Sequence, residues 1–200
     1  KEKIKESNPS IDILTMSATP IPRTLNMALS GMKQISTLTS APKYRKAIIT
    51  NINYFNDKLI INAINNEITR NGQIYFVHNN VKTIGTIMSF LEKNLPYLEI
   101  NYIHGQMDSK IIEDRMQKFT NKNIDVLVCT SIIENGIDIP SVNTIIINNA
   151  HKFGLSQLYQ IRGRVGRSNK QAYALLIIPE KLKLTTTSKL RLQTIEKYTS

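Results

Sequence analysis

The sequence predicts an α/β protein, a three-layer sandwich on a mostly parallel sheet. Two observations carry this. From Ala47 to Ile178, short apolar runs alternate with amphipathic stretches of helical length, which joins parallel strands through helical crossovers. The runs themselves, V-L-V-C at Val126–Cys129 and T-I-I-I at Thr144–Ile147, are apolar at successive positions. Strands of that kind are covered on both faces.

Taken in order, residues 1–10 are polar and read as a linker or an incomplete helix. Ile11–Met16 is a short apolar strand, stopped by Pro20 and Pro22. Pro22 suits the first turn of a helix, where its missing N–H is not needed, and Arg23–Met32 is that helix. Ser36–Arg45, small and polar around Ala41-Pro42, reads as an edge strand and a hinge. Ala47–Ile52 is a strand, and Asp57–Arg70 carries Leu59, Ile60, Ala63, Ile64 and Ile68 at helical spacing. Asn71-Gly72 ends that helix, with glycine expected as the left-handed cap. Gln73–Val77 is a strand, Val81–Lys93 a helix closed by Asn94 and Pro96, and Leu98–Ile103 a strand. Asp108 caps a helix running to about Phe119. Asp125–Cys129, Asn143–Ile147 and Gln171–Ile178 complete the strands. Residues 180–200 are amphipathic through Leu184, Leu190, Leu192 and Ile195.

With 200 residues and 41% apolar side chains, the chain can bury a core. A net charge of +11 points to a polyanionic partner, nucleic acid first, although Ile, Asn and Lys crowd the whole chain and part of the charge is compositional. The single cysteine, Cys129, lies inside an apolar run and reads as an inert buried thiol; with three dispersed histidines it offers no metal-ligand spacing. No stretch reaches the roughly 18 apolar residues of a membrane span, and the charged start K-E-K-I-K-E-S lacks a signal region, so the expected setting is cytoplasmic.

In such sheets ligands sit beyond the carboxyl ends of the strands, so the loops after Val77, Ile103, Cys129 and Ile147 are the places to look. Gln157–Arg167, Q-L-Y-Q-I-R-G-R-V-G-R, sets Arg162, Arg164 and Arg167 on a short helix and its glycine-spaced continuation. Guanidinium is planar, always charged and able to donate two parallel bonds, so two such groups aimed together suit a polyphosphate. The plainer reading is a solvated basic helix end. In N-G-I-D-I-P at Asn135–Pro140, Gly136 allows a sharp turn and Asp138 could accept from a ribose hydroxyl; the alternative is an ordinary loop aspartate. His104-Gly105 precedes the Asp108 cap, where backbone N–H groups suit phosphate, and His104 is either a nucleic-acid contact or a structural histidine. His78 and Asn79 hold a comparable position.

Q-I-R-G-R-V-G-R at Gln160–Arg167 resembles the last signature motif of superfamily 2 helicases. S-A-T-P-I-P-R-T-L-N-M-A-L-S-G-M at Ser17–Met32 resembles the branch of double-strand DNA translocases that holds the replication-fork helicase RecG and the transcription-repair-coupling factor. L-N-M-A-L-S-G-M, N-T-I-I-I, H-K-F-G-L-S-Q-L and V-G-R-S-N-K-Q-A-Y-A look most like the coupling factor. The chain departs from the family at Asn135, where threonine or valine is usual, and at Asn148-Asn149, where an acidic or charged residue is usual.

The resemblance implies a RecA-like second helicase lobe over 47–179, the end of a first lobe over 1–36, a linker over 37–46 and the start of a helical hairpin over 180–200. It implies catalytic roles for Gln160, Arg164 and Arg167, the last as the finger that neutralises charge on the transferred phosphoryl group. Gly136 and Asp138 join Arg164 and Arg167 around the nucleotide. Thr130, His104, Gly105 and Arg23 would bind nucleic acid, and Ser17, Ala18 and Thr19 would couple ATP state to it. The cofactor would be ATP with Mg2+, the metal held by the first lobe. The chain carries neither G-x-x-x-x-G-K-[ST] nor D-E-x-[HQD], so alone it should be inactive. Expected partners are double-stranded DNA and, through modules outside this chain, RNA polymerase and excision-repair proteins, with no membrane. The function expected is that of a motor lobe in transcription-coupled excision repair. A RecG-type lobe and a non-catalytic nucleic-acid-binding module of the same fold are the alternatives.

Overall fold

The computed structural model describes Ser36 and residues 46–131 and 139–198. These lie almost wholly in the second of two units of the chain, Ser40–Ser200. The expected strand 11–16, helix 23–32 and most of the 36–45 stretch, together with Ser17, Ala18, Thr19, Arg23, Gly136 and Asp138, fall outside the described residues.

The described strands are β1 (Ile49–Tyr54), β2 (Gln73–His78), β3 (Ile100–Ile103), β4 (Val126–Cys129), β5 (Val142–Asn148) and β6 (Tyr173–Ile178). The helices are α1 (Asp57–Thr69), α2 (Ile84–Asn94), α3 (Ser109–Thr120), α4 (Leu155–Arg162) and α5 (Thr186–Lys197). The strands form one six-stranded sheet in the order β1-β6-β5-β2-β4-β3, and every pairing is parallel. The described helices α1, α2, α3 and α4 lie in the crossovers β1–β2, β2–β3, β3–β4 and β5–β6, as parallel pairing requires.

Because successive strand side chains point to opposite faces, β2, β4 and β5 feed two cores. Ile74, Phe76, Val126, Val128 and Ile146 pack with Ile60 and Ile64 of α1 and Leu91 of α2. Tyr75, Val77, Leu127, Cys129, Ile145 and Ile147 pack with Phe119 of α3, Leu158 and Ile161 of α4, and Leu192 and Ile195 of α5. Cys129 is wholly buried and its thiol is pushed far up by desolvation, which leaves it inert.

Local chemistry starts the helices. Asn56 accepts from the Leu59 N–H (3.1 Å) to open α1, and Asp108 accepts from the Lys110 N–H (2.8 Å) to open α3, as expected. Several limits move. The first strand sits two residues later than its apolar pattern, and Val81–Lys93 divides into a 3-10 turn, Val81–Thr83, and α2. Leu190 is 65% exposed, so the buried face of α5 rests on Leu192 and Ile195.

The end of α1 corrects an expectation. The left-handed residue is Asn71 (φ 55), and the Asn71 and Gly72 N–H groups close the turn onto Ile68 O (2.9 Å) and Glu67 O (3.0 Å). This is a Schellman end with asparagine in the place expected for glycine. Gly72 is required for space: a Cβ there would overlap Glu67 Oε1. Glu67 cannot withdraw, because it is 1% exposed and its Oε2 accepts from Arg70 (2.9 Å) and Thr144 (2.6 Å). Gly72→Ala is expected to cost about 1–3 kcal/mol through this overpacking, read as a lower denaturant midpoint at unchanged m.

Candidate nucleotide and nucleic-acid interfaces

The arginine segment begins on α4, where Gln157 Oε1 accepts the Gly154 N–H (3.0 Å), and continues through turns in which Arg164 N–H donates to Ile161 O and Val165 N–H to Arg162 O. Its three arginines have different fates. Arg162 is 3% exposed and turns inward: its Nη1 donates to Ile195 O and Tyr198 O (both 2.9 Å) at the end of α5, over the Tyr159 ring. A cation on the last carbonyls of a helix suits the dipole there. Arg162 is thus removed from the set of guanidiniums available to a ligand. Gln160 and Arg164 are half-buried and Arg167 is exposed, with its Nε donating to Gly163 O (3.2 Å).

The chain around Arg167 lies at the amino ends of the strands. Ser168 Oγ donates to Asn143 Oδ1 (2.7 Å) at the start of β5, Lys170 Nζ to Arg70 O (2.6 Å) beyond α1, and Gln171 Nε2 to Ala47 O (2.7 Å) before β1. Gly166 (φ 75) packs against Ile48, which a Cβ would approach to 3.1 Å. The carboxyl-end rule therefore misplaces the arginines. α4 leaves the carboxyl edge and runs back along the sheet, so the residues after it arrive at the opposite edge. Ile139, Pro140, Ser141 and Asn143, which follow Asp138 in the chain, and Ser168 and Lys170, which follow Arg167, line one cavity of ≈ 400 Å³ there.

The carboxyl edge gathers a second set. Val77 and Ile103 both register with Cys129, so His78, His104 and Thr130 stand one step beyond an aligned row on the adjacent strands β2, β4 and β3. Gly105 is exposed, and His104 is half-buried, stacked on Tyr102 (centroids 6.0 Å apart), with its Nδ1 accepting the Gln106 N–H (3.3 Å). Thr130 is only 6% exposed, its amide donating to Ile103 O (3.4 Å), and is less open than expected. Ser131 Oγ donates to Asn79 Oδ1 (3.5 Å). His78 is 4% exposed and both its ring nitrogens are engaged, by Asn148 and Thr83, which leaves neither for a ligand; its pKa is lowered by burial and by Lys152. At ~3.3 Å per strand residue the two edges lie about 20 Å apart. Among the described residues, no cluster of His, Cys, Asp and Glu could hold a metal ion.

A parallel six-stranded sheet, with the arginine segment at one end and His104 and Thr130 at the other, fits the architecture of a helicase lobe. Residues 56–169 match the Helicase conserved C-terminal domain family, and the chain belongs to it. The solved structure of RecG bound to a three-way DNA junction superposes on 92% of this chain and 25% of its own length, at TM-score 0.78 and 31% identity. A yeast structure, Dbp5 bound to RNA and ADP BeF3, shares the fold at TM-score 0.66 and 19% identity, over 92% of this chain and 48% of that one.

Within that class the likeness is to transcription-repair-coupling factors. The chain is 45% identical to that of Myxococcus xanthus over 199 residues, all of this chain and 17% of that protein. Against that of Escherichia coli it is 47% identical over 195 residues, 98% of this chain and 17% of that protein. The chloroplastic ATP-dependent DNA helicase of Arabidopsis thaliana is 44% identical over 98% of this chain and 24% of its own length. The chain thus spans about a quarter or less of these relatives. No helix among the described residues is long and apolar enough to cross a membrane.

Proposed function

We infer that this chain is the second motor lobe of an ATP-driven double-strand DNA translocase of the coupling-factor kind, whose whole protein displaces stalled RNA polymerase and recruits excision repair. The observation that supports it most is the segregation of the two candidate sets to opposite ends of the sheet. The segments that follow Asp138 and Arg167 share one cavity at the amino edge, while His104 and Thr130 stand side by side at the carboxyl edge, with Gly105 next to His104. ATP between lobes and DNA along the lobe can then be held at once. Identity of 45% with the Myxococcus coupling factor, against 31% with RecG, favours the coupling-factor reading over the replication-fork one.

In this reading Arg164, Arg167 and Gln160 contact the phosphates when the lobes close, and Asp138 with Gly136 holds the ribose. Mg2+ sits with the phosphate loop of the first lobe, and Ser17, Ala18, Thr19 and Arg23 couple that lobe to DNA. The cell interior is the setting such work requires. This chain supplies only part of the ATPase, so alone it turns over no ATP.

Backbone contacts bind without reading sequence and release counterions. In the full-length protein, His104→Ala with Thr130→Val is expected to weaken duplex binding several-fold at every salt concentration and to leave the log–log salt slope unchanged, because neither side chain neutralises a phosphate as lysine or arginine does. ATP affinity should hold. Titrations of labelled duplex at several salt concentrations check this, and unchanged affinity would refute the carboxyl edge as the DNA face.

A further inference from the structure

At the carboxyl edge one group belongs to neither set. His78 and Asn148, at the ends of neighbouring strands, are 4% and 6% exposed. Asn148 Nδ2 lies 3.1 Å from His78 Nδ1, and His78 Nε2 lies 2.7 Å from Thr83 Oγ1. Thr83 Oγ1 donates onward to Asn80 O (3.4 Å). With the amide donating to Nδ1, that nitrogen is bare, Nε2 carries the proton, and all donors run one way, from Asn148 through His78 and Thr83 to Asn80. Thr83 is the residue before α2, but its hydroxyl makes no capping bond there, being engaged with His78 instead. The turn is tied further by Asn80 N–H to His78 O (2.9 Å) and Lys82 N–H to Asn80 Oδ1 (3.1 Å). Asn79, the first residue of this turn, accepts from Ser131, next to Thr130.

We propose that His78 is a positioning residue for DNA binding: a buried neutral imidazole that pins the Asn79–Thr83 turn to the end of β5 and so holds Asn79 against Ser131. The proposal rests on the reading of this edge as the DNA face. The charged groups around the ring are cationic: Lys152, on the 3-10 turn after β5, which lowers its pKa, and Lys82, on the turn His78 opens. His151, next to Lys152 in the chain, has its own pKa lowered by burial, Lys152 and Arg191. The ends of β4 and β5 contribute Thr130, Ser131 and Asn148, which carry no charge. A histidine with a lowered folded pKa binds its proton more readily when unfolded, so the arrangement is intact at neutral and higher pH and is weakened as pH falls below the unfolded value of about 6.5.

The decisive variant is Asn148→Asp in the full-length protein. A carboxylate only accepts, so Nδ1 must carry a proton, and a neutral ring can then only accept from the Thr83 hydroxyl, which gives up its donation to Asn80 O. An imidazolium satisfies both partners. The carboxylate raises the folded pKa of His78, so the correct arrangement is present at low pH and lost as pH rises through that value. The apparent KM for duplex DNA in the ATPase assay should be near wild type at about pH 6 and raised about five-fold at about pH 8.5, the worth of one hydrogen bond. At saturating DNA kcat should stay within about two-fold, while wild type shows a flat profile over the neutral and alkaline range. A second pair covers misfolding: His78→Gln, whose amide reaches toward Thr83, should recover most of the DNA affinity lost in His78→Leu. A flat KM profile for Asn148→Asp, or equal KM for the two His78 variants, would overturn the proposal. If His104→Ala with Thr130→Val also left DNA affinity unchanged, the edge itself would be misread; if that pair weakened binding, only the role of His78 would fall.

Discussion

Arg167→Ala in the full-length protein is expected to lower kcat for DNA-stimulated ATP hydrolysis by on the order of 10³, with duplex binding within a few-fold of wild type. Arg167 is exposed at the amino edge, and its guanidinium is steadied by Nε on Gly163 O. On the proposed reading it meets phosphate charge only when the other lobe closes on it, which would assign its contribution to the transition state. Arg167→Lys should recover little, because a point charge on a flexible stem does not reproduce a planar fork. Asp138→Ala should differ in kind, raising the KM for ATP more than it lowers kcat, since a ribose contact is present in ground and transition states alike. Steady-state ATPase of the three variants at saturating duplex is the measurement. If Arg167→Ala kept a tenth of wild-type kcat, the finger role would pass to Arg164.

The fold is legible in the sequence because its information is local. Apolar runs such as Val126–Cys129, the helical spacing from Leu59 to Ile68 and the Asp108 cap each need only a few residues of context, and each corresponds to an observed element. The strand order is not legible, because β1 pairs with β6 across more than a hundred residues. Motif residues are readable as types but not as places. Nothing in Q-I-R-G-R-V-G-R says that Arg162 faces the last helix while Arg167 faces out; that depends on where α5 docks. The carboxyl-end rule does not cover the arginines for a related reason: it concerns loops directly after strands, whereas α4 carries the arginines back across the sheet. Gly72 is a further instance. Its spacing after a helix suggests a left-handed cap, but its small size is needed against Glu67, a buried residue whose partner Thr144 is 77 residues away.

Arg162 should fail in a manner opposite to Arg167. Its guanidinium is buried, and two carbonyls at the end of α5 accept from it. Hydrogen bonds from a charged donor are worth about 1.5–3 kcal/mol each, and the Ile195 carbonyl, in a buried residue, adds its own cost when left without a partner. Arg162→Met keeps the apolar stem and removes every donor, so the expected loss is roughly 3 kcal/mol. For a lobe of this size that is a fall in Tm of roughly 6–12 °C. The consequence should extend beyond the immediate site, because α5 also sends Glu196 Oε1 to accept the Ile52 N–H on the edge strand β1 (3.0 Å) and Arg191 to donate to His151 O (2.8 Å). Loosening its end therefore frays the edge of the sheet and the turn after β5 together. Well below the melting range, ATPase per folded molecule should be reduced far less than in Arg167→Ala, whose Tm should in turn stay within about 1–2 °C of wild type, as for a surface change. Thermal melts set beside ATPase for the two variants separate the roles. Were Arg162→Met to melt within about 2 °C of wild type, water or a neighbouring group would be replacing the guanidinium, and α5 would be held by Leu192 and Ile195 alone.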